Sequence, residues 1–278
     1  MDKKIITSLY AYNYSLFVAY LDGSIDVFPL PEYNSKLFYP QSHIKYQNKI
    51  ETNSDLIIGM QAKQHILFAA TTDQLFSFNL DQVKIYNDGY FKSISGCQRI
   101  IINHNNNILY VITKDRGIVA INIQNAHRPK FINDMETSVL NGIEDGAVSG
   151  LNVIDNSILL SIRNRGIFRI IIDENNKIPS IEREITKIQL EDVQDIIFEK
   201  RNRMIYALDS ERGFLIINTT NNQVEFERKL PDGDTPKSIL LYNNNALIRG
   251  GKGLYSFDPK SKNILKILDK KIGAVLAP

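Results

Sequence analysis

Arg116, Arg165, Arg212 and Lys252 each stand directly before a glycine, and Asp145, Asp192 and Asp232 precede the last three of them by 20 residues. A cation repeated at constant spacing from an acid has two chemical uses. Four such cations on one face form a ring able to bind an acidic peptide or a phosphate, because guanidinium forks match those oxygens. Alternatively, each acid ties its loop to its own turn through a surface ion pair contributing about 0–1 kcal/mol. Neutralisation by the acids favours the second use. Gly96 occupies the corresponding acid position ahead of Arg116, so Arg116 is the cation expected to be left for a partner.

A second chemistry is oxygen ligation of a divalent cation. Asp195, Asp155 and Asn152, with Glu144-Asp145, Glu191-Asp192 and Asp232 and Asp234, are the oxygen donors that calcium would need. The constant pairing of the loop acids with basic turns argues against that use, and no metal or other cofactor is expected. The other reactive groups are sparse. The four histidines, His43, His65, His104 and His127, form neither His-x-His nor His-Glu-x-x-His. No Gly-x-Ser-x-Gly elbow is present for a serine nucleophile, and no catalytic residue is assigned. Cys97 is the only cysteine, which excludes an intramolecular disulfide and reads as a small buried hydrophobe.

The elements that must position these residues are strands. Six segments repeat an apolar strand, a short polar turn and a second apolar strand, beginning at Leu16, Ile66, Ile108, Ile158, Met204 and Ala246. The turns Asp115-Arg-Gly-Ile, Asn164-Arg-Gly-Ile and Glu211-Arg-Gly-Phe repeat one another closely. Each hairpin is flanked by a further strand on both sides, such as Ser149 to Ile154 and Ile181 to Ile185, or Val193 to Phe198 and Val224 to Arg228. A four-strand unit of about 40–50 residues is the span of a propeller blade. The inner strands are apolar almost throughout, as expected of sheets covered on both faces. Asparagine-rich turns suit left-handed backbone conformations. The sequence therefore predicts one all-β domain over residues 1–278, a closed propeller of six four-stranded blades. Seven blades are the alternative, if residues 36–53 hide another unit. The apolar stretch Ile272 to Ala277 is expected to pair with the first or last blade and close the ring.

Residues Gly117 to Lys130, GIVAINIQNAHRPK, resemble the LVIVD repeat, and Gly166 to Pro179 is a looser match. Gly253 to Lys262, GLYSFDPKSK, is similar to blades of two-component-regulator propellers, and the loop-to-turn polar link resembles that of WD40-like propellers. These resemblances imply a propeller and bring no catalytic residues with them.

Composition narrows the function. Lys and Arg number 33 against 31 Asp and Glu, for a net charge of +2, too little to imply nucleic acid or an anionic membrane surface. No apolar run of about 20 residues predicts a membrane span, and a soluble intracellular protein is expected. The reading that results is a non-catalytic platform for a protein partner, an accessory subunit of a larger assembly. The loop aromatics Tyr33, Phe38 and Tyr39, between Pro31 and Pro40, are a further candidate contact. The alternative is a metal-dependent hydrolase or lactonase acting at a central channel.

Overall fold

The computed structural model describes residues 6–13, 15–29, 48–51, 56–80, 84–85, 94–135, 140–141, 147–155, 157–172, 180–183, 190, 192–242 and 245–269. Within them the chain is all-β, apart from a single 3-10 turn at Pro231–Gly233. No helix among the described residues is long and apolar enough to cross a membrane.

The strands form six four-stranded antiparallel sheets, each built from four strands consecutive in sequence. The first holds β1 (Ile6–Tyr12), β2 (Ser15–Tyr20), β3 (Ser24–Pro29) and β4 (Asn48–Glu51). The second holds β5 (Ile57–Lys63), β6 (Ile66–Thr71), β7 (Leu75–Asn79) and β8 (Lys84–Ile85). The third holds β9 (Cys97–Asn103), β10 (Ile108–Thr113), β11 (Gly117–Asn122) and β12 (Lys130–Met135). The fourth holds β13 (Val148–Ile154), β14 (Ser157–Ile162), β15 (Gly166–Ile171) and β16 (Ser180–Arg183). The fifth holds β17 (Val193–Glu199), β18 (Met204–Asp209), β19 (Gly213–Asn218) and β20 (Gln223–Arg228). The sixth holds β21 (Pro236–Tyr242), β22 (Asn245–Gly250), β23 (Gly253–Asp258) and β24 (Asn263–Asp269). The segment considered for a further unit contributes β4 to the first sheet. The expected closing strand Ile272 to Ala277 lies outside the described residues, as do Tyr33, Phe38 and Tyr39.

The chain divides into two compact units, residues 1–145 and 146–278. In the first unit, β6 shows why the middle strands are apolar throughout. Ile66, Phe68 and Ala70 pack with Ile100, Ile102, Leu109 and Val111 of the third sheet. Leu67 and Ala69, pointing the other way, pack with Phe17, Ala19 and Ile25 of the first. Successive strand side chains alternate faces, so a strand buried on both faces is apolar along most of its length, with buried polar residues such as Thr71 and Asp209 at strand ends, where they can bond the turn. The second unit repeats the device at β18. Ile205 and Ala207 join Ile154, Leu159 and Ile167 of the fourth sheet, while Tyr206 and Leu208 join Ile248, Tyr255 and Phe257 of the sixth. Phe214 and Phe257 anchor the latter cluster with ring centroids 4.8 Å apart.

A feature not anticipated from the sequence recurs in all six sheets. The pairing of the first strand with the second slips by one residue near the start, at Thr7, Ile58, Gln98, Ser149, Gln194 and Lys237. Such a bulge bends the strand and increases its local twist. Within each unit, neighbouring first strands come close. Gly150 on β13 lies so near β17 that an added Cβ would sit 2.8 Å from the Ile196 nitrogen.

Side chains then cross the gaps between first strands. Asn152 donates to the Ile196 carbonyl at 2.8 Å and accepts from the Phe198 N–H at 3.3 Å. Asp195 accepts from the Ile239 N–H at 3.0 Å. In the first unit the Tyr10 hydroxyl accepts from the Ala62 N–H at 3.0 Å.

Candidate functional site

The cations singled out from the sequence sit in the turns joining the second and third strands of their sheets. Arg116 is not left for a partner. Its Nε and Nη2 both donate to Asp134 Oδ2, at 2.8 and 2.6 Å, and its guanidinium lies 5.5 Å from the Phe131 ring centroid. Arg212 likewise grips Glu227 through two bonds of 3.0 and 2.5 Å. That side-chain bond raises the Arg212 pKa above its ordinary value. The partner acids therefore come from β12 and β20. The fourth strand lies beside the third and brings its acids alongside the turn arginine, which decides the pairing.

The expected partnership of Arg212 with Asp192 is corrected accordingly. The Asp192 N–H donates to Asp209 Oδ2 at 3.3 Å, and its carbonyl accepts from the Ser210 N–H at 3.1 Å. Lys252 does meet Asp232, but Nζ donates to the main-chain carbonyl at 3.0 Å. The Asp232 carboxylate pairs instead with Lys266 at 3.1 Å. Arg165 is exposed, and its N–H closes the turn on the Ile162 carbonyl at 3.1 Å. Its expected partner Asp145 lies outside the described residues.

Both paired arginines are partly exposed, so each ion pair contributes only about 0.2–1 kcal/mol. A double-mutant cycle between Arg212→Ala and Glu227→Ala should return a coupling in that range that falls as salt is raised. A coupling of zero at low salt would show the fork to be energetically idle.

The sequence reading overlooked the residues that hold these turns from within. Thr113, at the end of β10, accepts the Arg116 N–H at 3.1 Å and donates to the Gly117 carbonyl at 3.1 Å. Thr71 plays the same part after β6, accepting from the Gln74 N–H at 3.1 Å and donating to the Gln74 carbonyl at 3.0 Å. Asp209, only 1% exposed, accepts the N–H groups of Glu211 and Arg212 at 3.0 and 2.9 Å. The signal was available: a short oxygen-bearing residue three places before the turn cation is a turn cap by its chemistry.

The sixth sheet ends its second strand on Gly250, two places before Lys252, and its turn is capped from outside. Asp234, 7% exposed, enters from the preceding loop. Its Oδ2 accepts the Lys252 N–H and the Tyr255 hydroxyl, both at 2.8 Å, and its Oδ1 accepts the Thr235 N–H at 2.8 Å. A Cβ on Gly250 would collide with Asp234 Oδ2. Burial opposes ionisation of Asp234, yet the Lys252 N–H, the Tyr255 hydroxyl and the N–H groups of Thr235 and Gly251 together hold its pKa below the usual value.

The oxygen donors considered for calcium are used in the same way. Asn152 and Asp195 bond main-chain groups of the adjacent first strands, and Asp155 faces Arg203 at 3.6 Å. Glu144 and Glu191 lie outside the described residues. Among the described residues no group of three or more His, Cys, Asp or Glu could hold a metal ion. Burial pushes the Cys97 thiol up to about 12, far from a reactive thiolate.

The first unit also carries an open depression of about 750 Å³, lined by Tyr12, Gln64, His65, Gln124, Asn125 and His127. It lies at the end of the sheets opposite the cationic turns, where the first strand turns into the second and the third into the fourth. Gln64 and His65 form the two-residue turn from β5 to β6, and both have positive φ, 47° and 63°. Such a turn ordinarily takes Asn-Gly. Here the Gln64 side chain is put to use. Oε1 accepts from the Ala126 N–H at 2.9 Å and Nε2 donates to the Gln124 carbonyl at 3.2 Å, strapping the second sheet to the third.

No family model matches the sequence. No curated protein matches it either. In structure, the chain is similar to the computationally designed Ika8 protein seen in a crystal. The TM-score is 0.64 at 10% sequence identity, over 94% of this chain and 73% of that one. At that identity the likeness concerns the arrangement of strands alone.

Proposed function

We propose that the six sheets are the blades of one closed β-propeller and that the protein is a non-catalytic platform for a protein partner. The carrying observation is how the polar side chains are used. Asp195, Asp209, Asp234, Asn152 and Thr113 all bond the main chain. They stiffen the frame, and a rigid frame that presents polar side chains on its turns suits recognition of a partner. The ring is supported by the repeated bulge and by the first-strand cross-links within each unit. In this reading the partner docks on the turns joining the second and third strands, around the exposed Arg165, while Arg116 and Arg212 are held by their own acids.

Two measurements test this. One compact ring of this length has a radius of gyration of about 19 Å, and solution scattering giving a clearly larger value, with two resolved lobes, would refute closure. Affinity capture from the native source should recover a partner with the wild type and with Lys260→Glu. Arg165→Glu should lose it at an unchanged melting temperature. Equal capture by both variants removes the docking face. Metal-assisted hydrolysis is the competing reading, and it requires calcium to raise the melting temperature by mass action. No such rise is expected.

A further inference from the structure

We infer that the open depression on the first unit is a binding site for a neutral saccharide. This goes beyond the platform reading and stands or falls separately from it. Among the described residues the lining is Tyr12, Gln64, His65, Gln124, Asn125 and His127, with no carboxylate, lysine or arginine side chain. It is composed of amides, imidazoles and a phenol.

Those groups share one property. A side-chain amide places donors and an acceptor side by side, and a neutral imidazole carries a donor on one nitrogen and an acceptor on the other. A sugar ring offers the complementary pattern, because every hydroxyl both donates and accepts. The Tyr12 ring adds a flat apolar surface for the C–H face of a sugar. It stacks on Tyr10 at 6.5 Å with 13° between the planes, and Tyr10 is in turn bonded to the Ala62 N–H. A volume near 750 Å³ lies within the range of small-molecule sites, here as a wide, shallow cleft.

The walls are held before any ligand arrives. Gln64 straps the turn of one sheet to the outer loop of the next, and Lys63 Nζ donates to Asn107 Oδ1 beside it. The Asn125 side chain accepts from the His127 N–H at 3.1 Å, which sets the local loop. Two non-glycine residues in left-handed conformations cost of order 1 kcal/mol each. Gln64 at φ 47° and His65 at φ 63° place a bridging amide and an imidazole there at that cost. A preorganised wall reduces the ordering needed on binding. A peptide, by contrast, is held chiefly through main-chain groups at an open strand edge, and this lining is made of side chains.

The test titrates the full chain with cellotriose, maltotriose, mannotriose and chitotriose, followed by ligand-observed magnetic resonance. Glucuronate oligomers and an uncharged Ser-Gly-Asn heptapeptide serve as comparators. At least one neutral trisaccharide should bind with a dissociation constant on the order of 1 mM. Gln124→Ala and His127→Ala, both at exposed positions, should weaken it about tenfold each without a change in melting temperature. Gln64→Gly separates positioning from folding, since glycine accepts the left-handed conformation freely. It should retain stability and lose affinity, because the strap is gone.

Lys260→Ala should bind as the wild type does. The proposal is overturned by no neutral saccharide binding up to roughly 20 mM, by full affinity in both alanine variants, or by tighter binding of the glucuronate oligomers or the peptide.

Discussion

Replacing Asp234 with alanine should lower the melting temperature by about 6–12 °C, the effect of roughly 3 kcal/mol in a domain of this size. The side chain is nearly buried and accepts bonds from Thr235, Lys252 and Tyr255, so its removal leaves three donors without their acceptor. Each buried orphan costs about 1–3 kcal/mol, reduced where water reaches it. Asp234→Asn keeps one acceptor oxygen and should lose less. The pH dependence gives a second signature. Its folded pKa is depressed from the usual 3.8, so its ionised form contributes stability above that value. The contribution is lost as pH falls from there through the folded pKa. Below about pH 4 the wild type should therefore lose stability more steeply than Asp234→Ala. Parallel pH profiles for the two proteins would refute the role assigned to the carboxylate.

Gly150→Ala should destabilise by about 2–3 kcal/mol or more, whereas Gly59→Ala should cost under about 1 kcal/mol. The two glycines occupy the same place, directly after the bulge in β13 and β5. Their surroundings differ. A Cβ on Gly150 would stand 2.7 Å from both Ile196 Cγ1 and Ser161 Oγ and 2.8 Å from the Ile196 nitrogen. The last is backbone and cannot swing aside. At Gly59 the nearest atom is Ile100 Cγ1 at 3.5 Å, an ordinary contact. Chemical denaturation of both variants measures the difference. Equal stability would mean that β13 and β17 do not approach as closely as described.

The two variants probe what neighbouring sequence alone could not convey. Hairpins were legible because their causes are local. Ile66 to Phe78 and Met204 to Asn218 are apolar runs broken by short polar turns, and they form β6 with β7 and β18 with β19. Asparagine did mark left-handed backbone, at Asn13, Asn107, Asn164 and Asn222. The bulges were not legible, because residues as unlike as Thr7, Gln98 and Lys237 occupy them. Geometry between strands, and no residue type, places a bulge there.

The turn cations show the boundary most clearly. Constant spacing suggested that Arg212 would reach Asp192 in the loop before it, and that Arg116, with Gly96 at that place, would be left for a partner. Arg116 finds Asp134 18 residues ahead, and Arg212 finds Glu227 15 ahead. The unequal spacings reflect the unequal loops leading to β12 and β20, which periodicity cannot read. The depression is a stronger case, since Gln64 and Ala126 are 62 residues apart and meet only through sheet packing.

Sequence by itself determined the strands, the turns between them and the repeat, because alternation, β-branched side chains and left-handed turn residues act over a few bonds. Only the tertiary structure decided which acid meets which arginine, which oxygen caps which turn and which side chains line the depression. Those are matters of distance between strands, set when apolar faces pack, and no local rule along the chain carries them.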